Sequence, residues 1–437
     1  MSKIKVFVRV RPPIPGEFDV PGCFNCVEME DVSGNWLLIK KDGEQRRYFA
    51  RCWGPASTQE EPFRAVGIST VNDVFEGFYG CVFVYGQSGT GKTFTLGCTV
   101  PGIEGIQPRC LKYMFDKITK DAAKFETKVV HNYVQLYRDS VLDLLDVGKD
   151  NLNIRVEATV GAIIDGVSAE TAANYDESMA VIKKGDSNRV VANTKLNSGS
   201  SRSHACFITE VTRRNRETGA QTTGKLYLID LAGSERVSKS GVTGAEYDEA
   251  VAINKSLTTL GNCIAGLVAG EKVIAFRDSK LTRLLQHSLS GNGRTSIIVT
   301  IRPDSPNMQE TLCTLKFGER AQKVEAQMTP ASYRENVLEA LDKHAEIERS
   351  MSDMQRTSHW FKAHSTRLKD MLADKEAELA AFDAETKVET DRAKAEADAQ
   401  KQTMLSAWAT EKQAIGGDTQ KEIETLTEAN QSVIQDI

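Results

Sequence analysis

Between residues 82 and 95 the chain reads VFVYGQSGTGKTFT, an apolar run that passes directly into a glycine-rich turn closing on Gly-Lys-Thr. Gly86-Gln87-Ser88-Gly89-Thr90-Gly91-Lys92-Thr93 fits G-x-x-x-x-G-K-[ST]. Its setting, a buried-type strand before and a helix start after, is the one that pattern requires. Glycines let backbone N–H groups curl around phosphate oxygens, and the following helix start adds partial positive charge. In such a loop Lys92 reaches the β- and γ-phosphates and Thr93 offers a hydroxyl to Mg²⁺.

Around this unit the hydrophobic period switches repeatedly. IKVFVRV, CVFVYG, TKVVHNYVQLY, ACFITEVTRR, GKLYLIDLAG and TSIIVTI read as strands. QPRCLKYMFDKITK, YDESMAVIKKG, AVAINKSLTTLGNCIAGLVAG, RDSKLTRLLQHSLS and MQETLCTLKFGERAQKV read as helices. The interleaving predicts an α/β fold of the P-loop NTPase type, a central, mostly parallel sheet flanked by helices on both faces.

Charge locates the end of that fold. Residues 1–330 carry 41 basic against 38 acidic side chains, and residues 331–437 carry 14 against 22. Beyond the boundary glycine becomes scarce and Ala, Glu, Lys, Asp and Gln dominate, so a globular domain over 1–326 is expected to lead into a helical extension. No run reaches the roughly 18 apolar residues of a membrane helix, and MSKIKVFVRVRPP enters a strand pattern without a signal-peptide layout, so no membrane insertion is expected. The nine cysteines are scattered. The only close pair, Cys23 and Cys26, lacks partners at zinc-ligand spacing, so reduced thiols are expected.

Two later segments complete a nucleotide site. NSGSSRSH at 197–204 crowds hydroxyls around one arginine, and LIDLAGSER at 228–236 sends Asp230 off an apolar strand into a glycine turn. An Asp there is the usual second support for phosphate-bound Mg²⁺, and Gly233 offers an N–H able to approach a γ-phosphate closely. Loops that touch the γ-phosphate can report its loss by relaxing.

GQSGTGKT, NSGSSRSH and DLAGSE, followed in order by INKSLTTLG, FRDSKLTRLLQ and LKFGERA, resemble the motor domain of kinesins over residues 3–323. The resemblance implies a kinesin motor fold binding ATP and Mg²⁺. It implies that Arg9 and Pro12 of RVRP line the adenine with Phe94 as an aromatic neighbour, whereas alternation alone reads Arg9 and Arg11 as a solvated strand face. It also implies that Ser201 lies near Mg²⁺ with Thr93, that Asp230 holds the ion through water, and that Arg202 and Glu235 pair when both loops close. A closed salt bridge that orders the attacking water suits phosphoryl transfer, which needs positioning and charge stabilisation more than a strong base. Asn254 opens Asn-Lys-Ser-Leu and lacks the Asp of the guanine-selecting N-K-x-D, which argues against a GTPase; the resemblance gives Asn254 a sensing role at the start of a long helix.

The implied partner is the microtubule, with Arg236, Lys239, Lys255, Lys272, Arg277, Lys280 and Arg283 in the segments that face it in kinesins. Basic side chains on one face would steer and hold acidic tubulin. Nucleic acid is not expected, because the domain is only slightly basic and shows no aromatic stacking platform. The extension divides into a neck and amphipathic helix over 327–415 and a second heptad segment over 416–437 after Gly416-Gly417. Thr329 and Pro330 suit a helix start, and a seam from Val337 through Leu372 and Leu379 to Phe382 permits a weak coiled coil, hence a homodimer or hetero-oligomer. The linker KVEAQM is shorter than that of conventional kinesin, so direction and processivity do not carry over. The resulting expectation is an ATP-driven, microtubule-stimulated motor. It would be cytoplasmic and cytoskeletal, with nuclear or spindle association left open, and a non-motile, nucleotide-gated binder is the alternative.

Overall fold

The computed structural model describes residues 2–29, 33–40, 46–157, 160–195, 202–235, 245–290, 293–326 and 360–414. Two compact units, Met1–Asp342 and Lys343–Ile437, divide the chain. The strands of the first unit begin with β1 (Ser2–Lys3), β2 (Lys5–Val10), β3 (Val27–Met29), β4 (Ser33–Ile39), β5 (Arg46–Trp53), β6 (Tyr79–Tyr85), β7 (Phe125–Tyr137) and β8 (Ser140–Asp143). They continue with β9 (Ile154–Glu157), β10 (Gly161–Ile164), β11 (Glu170–Ala172), β12 (His204–Asn215), β13 (Gln221–Asp230), β14 (Gly293–Ile301) and β15 (Glu325–Ala326). Its helices are α1 (Glu60–Pro62), α2 (Ile68–Phe75), α3 (Lys92–Gly97), α4 (Ile106–Asp121), α5 (Tyr175–Lys195), α6 (Ala245–Ala269), α7 (Lys280–Leu289) and α8 (Met308–Ala321).

One sheet runs β11-β7-β12-β13-β6-β14-β2-β5-β4-β3, with β8 beside β7. Its centre, β13-β6-β14-β2-β5, is parallel and its flanks are antiparallel. Alternate residues of the central strands feed two separate cores. Val8, Phe83 and Val299 pack on one face with Leu260 of α6, Leu284 of α7 and Leu315 of α8. Phe7, Val82, Val84 and Ile298 pack on the other with Val71 of α2, Leu111 of α4 and Ile182 of α5. A sheet covered on both faces favours apolar residues at successive positions, which is why β6, YGCVFVY, reads as a continuous apolar run. The α/β fold with helices on both faces is therefore present.

The same geometry overturns the solvated reading of Arg9 and Arg11, which are only 7% and 9% exposed. Segments packed over the end of β2 cover both side chains: Arg9 donates to Gln59 Oε1 (2.6 Å) and the Thr95 hydroxyl (3.1 Å), and Arg11, just past the strand, donates to the Glu17 carboxylate (2.9 Å). The helix read over 308–324 closes at Ala321, and the chain turns back into the sheet-like pair β1·β15, where Ser2 opposes Ala326 and Lys3 opposes Glu325.

Among the described residues of the second unit, helix α9 (Trp360–Ala414) runs for 55 residues. Leu372 and Leu379, one heptad apart on the expected seam, are half-buried, while its described side chains from 387 to 400 are exposed. The expected helix start at Thr329, the seam before residue 360 and the Gly416-Gly417 break lie outside the described residues.

Candidate functional site

Parallel neighbours release their chains at the same edge of a sheet, and a ligand crevice forms outside those carboxyl ends. Here the loops after β2, β5, β6, β13 and β14 gather at that edge. The loop after β6 curls into α3 through Gly91, whose φ of +91° favours glycine. Inside the curl the buried Lys92 ammonium donates to the carbonyls of Gly86 (2.9 Å) and Gln87 (3.0 Å). Burial draws its pKa down, and the carboxylates of Asp230 and Glu235 oppose that shift. Two contacts tie the loop to β14 and its following turn: Thr90 and Thr300 share a hydroxyl hydrogen bond of 2.6 Å, and Gln87 Nε2 donates to Asn307 Oδ1 at 2.8 Å.

Asp230 ends β13 beside this loop and accepts a 2.6 Å hydrogen bond from the Thr93 hydroxyl on Oδ2, with Arg189 of α5 at 3.6 Å. Its other oxygen, Oδ1, is buried without a hydrogen-bond donor among the described residues. A hydroxyl and a carboxylate with an unused, buried oxygen form a donor set suited to a hard divalent cation and its waters. Gly233 passes so close to the loop that a Cβ there would collide with the Ser88 hydroxyl and the Glu235 carboxylate. That carboxylate accepts from the Ser88 backbone N–H (2.9 Å) and the Ser88 hydroxyl (2.5 Å), so the turn after β13 closes over the phosphate-type loop.

His204, for which sequence reasoning found no role, joins three of these segments. Its Nδ1 accepts from the Ala232 N–H (2.9 Å), which places the ring proton on Nε2, facing the Ser256 hydroxyl of α6 at 2.8 Å. Asn254 lies half-buried on the same helix two residues earlier, inside α6 and not at its start as expected, because the helix already begins at Ala245; Arg202 lines a crevice with His204, Ser256 and Leu281. Ser201 lies outside the described residues.

Burial holds His204 at a pKa of about 3 and His131, in the interior, at about 4, against an ordinary 6.5. The unfolded chain therefore binds more protons below about pH 6.5, and each histidine removes stability as pH falls from there towards its folded pKa. At pH 5 the loss is about 2 kcal/mol per histidine. Urea unfolding at pH 7 and pH 5 should show it, and His131→Gln should shrink the pH-dependent difference by about that amount. An unchanged difference would contradict the neutral, buried state of His131.

Beside the phosphate-type loop lies a cavity of about 480 Å³ lined by Arg9, Pro12, Gln59, Thr90, Phe94 and Ile103. It shares Gly91 and Phe94 with a smaller one of about 220 Å³ lined by Ser88, Gly89, Lys92, Thr93 and Asp230. The Arg9 guanidinium lies 5.3 Å from the Phe94 ring centroid, and burial lowers its pKa to about 10, so it stays charged at neutral pH. The expected base-end residues and phosphate-end residues thus adjoin.

Of the basic residues assigned to a partner face, Lys255, Lys272 and Arg277 are exposed and Lys280 and Arg283 are half-buried. Lys280 is partly committed, because its ammonium donates to the Leu152 carbonyl at 2.8 Å and its backbone N–H to Asp139 at 2.6 Å. Arg236 and Lys239 lie outside the described residues. All nine cysteines are free thiols, no cluster of metal-ligating residues occurs among the described residues, and no described helix is long and apolar enough to cross a membrane.

Comparison with known proteins gives concordant matches. The kinesin motor domain family matches residues 9–324. The kinesin heavy chain of Strongylocentrotus purpuratus is 40% identical over 330 residues, which are 75% of this chain and 31% of that protein. Kinesin-like protein 3 of Schizosaccharomyces pombe is 38% identical over 336 residues, 74% of this chain and 59% of that one. A solved fast-kinesin structure, described for its ATPase mechanism and interactions with microtubules, superposes with a TM-score of 0.70 at 37% identity, covering 74% of this chain and 92% of that one. The chain spans about a third of the length of the kinesin heavy chains it matches.

Proposed function

The chain belongs to the kinesin motor family, and on that premise we propose that it is an ATP-driven motor whose hydrolysis is stimulated by microtubules. The observation that carries this reading is the convergence at one sheet edge of the 86–93 loop, Asp230 and the Gly233–Glu235 turn, next to a cavity walled by Arg9, Pro12 and Phe94. ATP would place its phosphates in the smaller cavity and its base in the larger. Lys92 would leave the Gly86 and Gln87 carbonyls for the β- and γ-phosphates, and the Gly233 N–H would approach the γ-phosphate.

Thr93, Asp230 and Ser201 would hold Mg²⁺, with Asp230 acting through water. Bound there, the ion neutralises charge on the phosphate oxygens. Glu235 would exchange Ser88 for Arg202 as the loops close, and the pair would orient the attacking water. Relaxation after γ-phosphate loss would reach α6 through Asn254 and through His204 at Ser256. That helix, the turn Phe276–Asp278 and α7 would carry Lys255, Arg277, Lys280 and Arg283 towards the microtubule, with Arg236, Lys239 and Lys272 completing the face. We assign residues 1–326 to the motor, 327–415 to a neck and amphipathic helix, and 416–437 to a second heptad segment. The extension would associate weakly, as a homodimer or hetero-oligomer, and the protein would be cytoskeletal.

The direct test is steady-state ATPase with and without microtubules; an unstimulated wild-type rate would contradict the proposal. The partner face has its own test in salt-dependent cosedimentation. Arg277→Ala should weaken microtubule affinity by roughly tenfold and flatten its salt dependence. Lys280→Ala should do less, because its ammonium already serves Leu152. Equal and negligible effects would place the interface elsewhere.

A further inference from the structure

We infer that Gln59 is a positioning residue for the base and ribose end of the nucleotide, joining the two walls of the larger cavity; the inference rests on the nucleotide reading above. Gln59 precedes α1 in a stretch, TQEEPF, that carries no recognisable motif, yet it is only 6% exposed. All three of its strong bonds leave the segment. Its Oε1 accepts from Arg9 Nη1 at 2.6 Å, and its Nε2 donates to the carbonyls of Phe94 (2.7 Å) and Ile103 (3.1 Å). The orientation of the amide follows without ambiguity, because a flipped amide would set its NH₂ against a guanidinium and its oxygen against two carbonyls.

What Gln59 joins is specific to the cavity. Arg9 comes from β2, Phe94 from α3 and Ile103 from the loop over 98–105, and all three line it together with Gln59 itself. Phe94 and Ile103 are 44% and 46% exposed, apolar surfaces in the cavity lining that a flat, aromatic base would cover. The buried Arg9 charge has no carboxylate within 4 Å among the described residues. Its other partners are the Thr95 hydroxyl at 3.1 Å and the Thr58 carbonyl at 3.5 Å, so the Gln59 carbonyl is its shortest and best-placed acceptor. Without Gln59 the guanidinium would turn to seek other acceptors, and the 98–105 loop would lose a tie to α1.

A residue acting at the base end should affect ATP and leave a ligand made of phosphates alone untouched. Gln59→Met keeps the volume and removes all three bonds. In the full chain it should raise the KM for ATP by about tenfold, the scale of one hydrogen bond to a charged group. The kcat at saturating ATP should stay within about twofold, and the inhibition constant of inorganic tripolyphosphate should not move. Gln59→Glu keeps the acceptor for Arg9 and turns an oxygen on the Phe94 and Ile103 carbonyls, so its KM should fall between the wild type and Gln59→Met. Equal losses of ATP and tripolyphosphate affinity would mark general damage and overturn the inference, as would an unchanged KM in both variants. A wild-type protein that binds neither ligand would remove the nucleotide reading and this inference with it.

Discussion

Lys92→Ala is expected to abolish ATP hydrolysis, lowering kcat/KM by about 10³-fold or more, the upper scale for losing a preorganised charge donor. Lys92 is held in place before any ligand arrives. Its ammonium is buried and donates to the Gly86 and Gln87 carbonyls, so the loop is shaped around a positive charge. The phosphates of ATP would replace two neutral carbonyls with fully charged oxygens, and the gain is large because the site is already desolvated. Fold stability should change much less than activity. Removing the ammonium leaves two carbonyls without a donor but also removes the cost of burying a charge. The measurement is a nucleotide-binding titration beside a thermal melt. A variant that melts like the wild type yet binds and hydrolyses ATP would refute the phosphate assignment of the loop.

Arg202→Ala and Glu235→Ala are each expected to slow hydrolysis on the order of 10²-fold or more while nucleotide binding is largely kept. The structure shows where Glu235 starts from in that proposal. Its carboxylate takes the Ser88 N–H and hydroxyl, and on the proposed mechanism it exchanges these for Arg202. If the two side chains act as one unit, the double variant should lose little more than either single variant. Single-turnover rates in the presence of microtubules provide the measurement. Additive losses would show that they act independently, and loss of binding with unchanged chemistry would show that Glu235 serves only to hold Ser88. Replacing Glu235 by Gln separates charge from shape, because an amide can still accept from the Ser88 hydroxyl but cannot form the ion pair.

These expectations begin from residues whose meaning is local. The 86–93 loop is legible because its chemistry resides in backbone conformation, glycine freedom and a lysine at a set distance along the chain. The six strands and five helices read from periodicity are legible for a related reason: each is long enough, or apolar enough, to show its environment along its own length. A strand of mixed surroundings escapes that test. Strand β5, RRYFARCW, mixes arginines with aromatic residues because it sits where the parallel centre passes into the antiparallel flank, and its exposure follows no simple alternation.

What the tertiary structure alone decides is contact between segments far apart in the chain. Arg9 is buried because Thr58, Gln59 and Thr95 close over its side chain, a fact absent from IKVFVRV itself. Gln59 matters because residues 9, 94 and 103 all reach it, and His204 because Ala232 and Ser256 do. The pairing of Ser2–Lys3 with Glu325–Ala326 joins the two ends of the described motor unit across more than 320 residues. Sequence alone therefore determined the phosphate-type loop, the alternating α/β character and the family. Which polar side chains are buried, and which partners satisfy them, was decided only on folding, because hydrogen bonds and desolvation depend on distance in space and not along the chain.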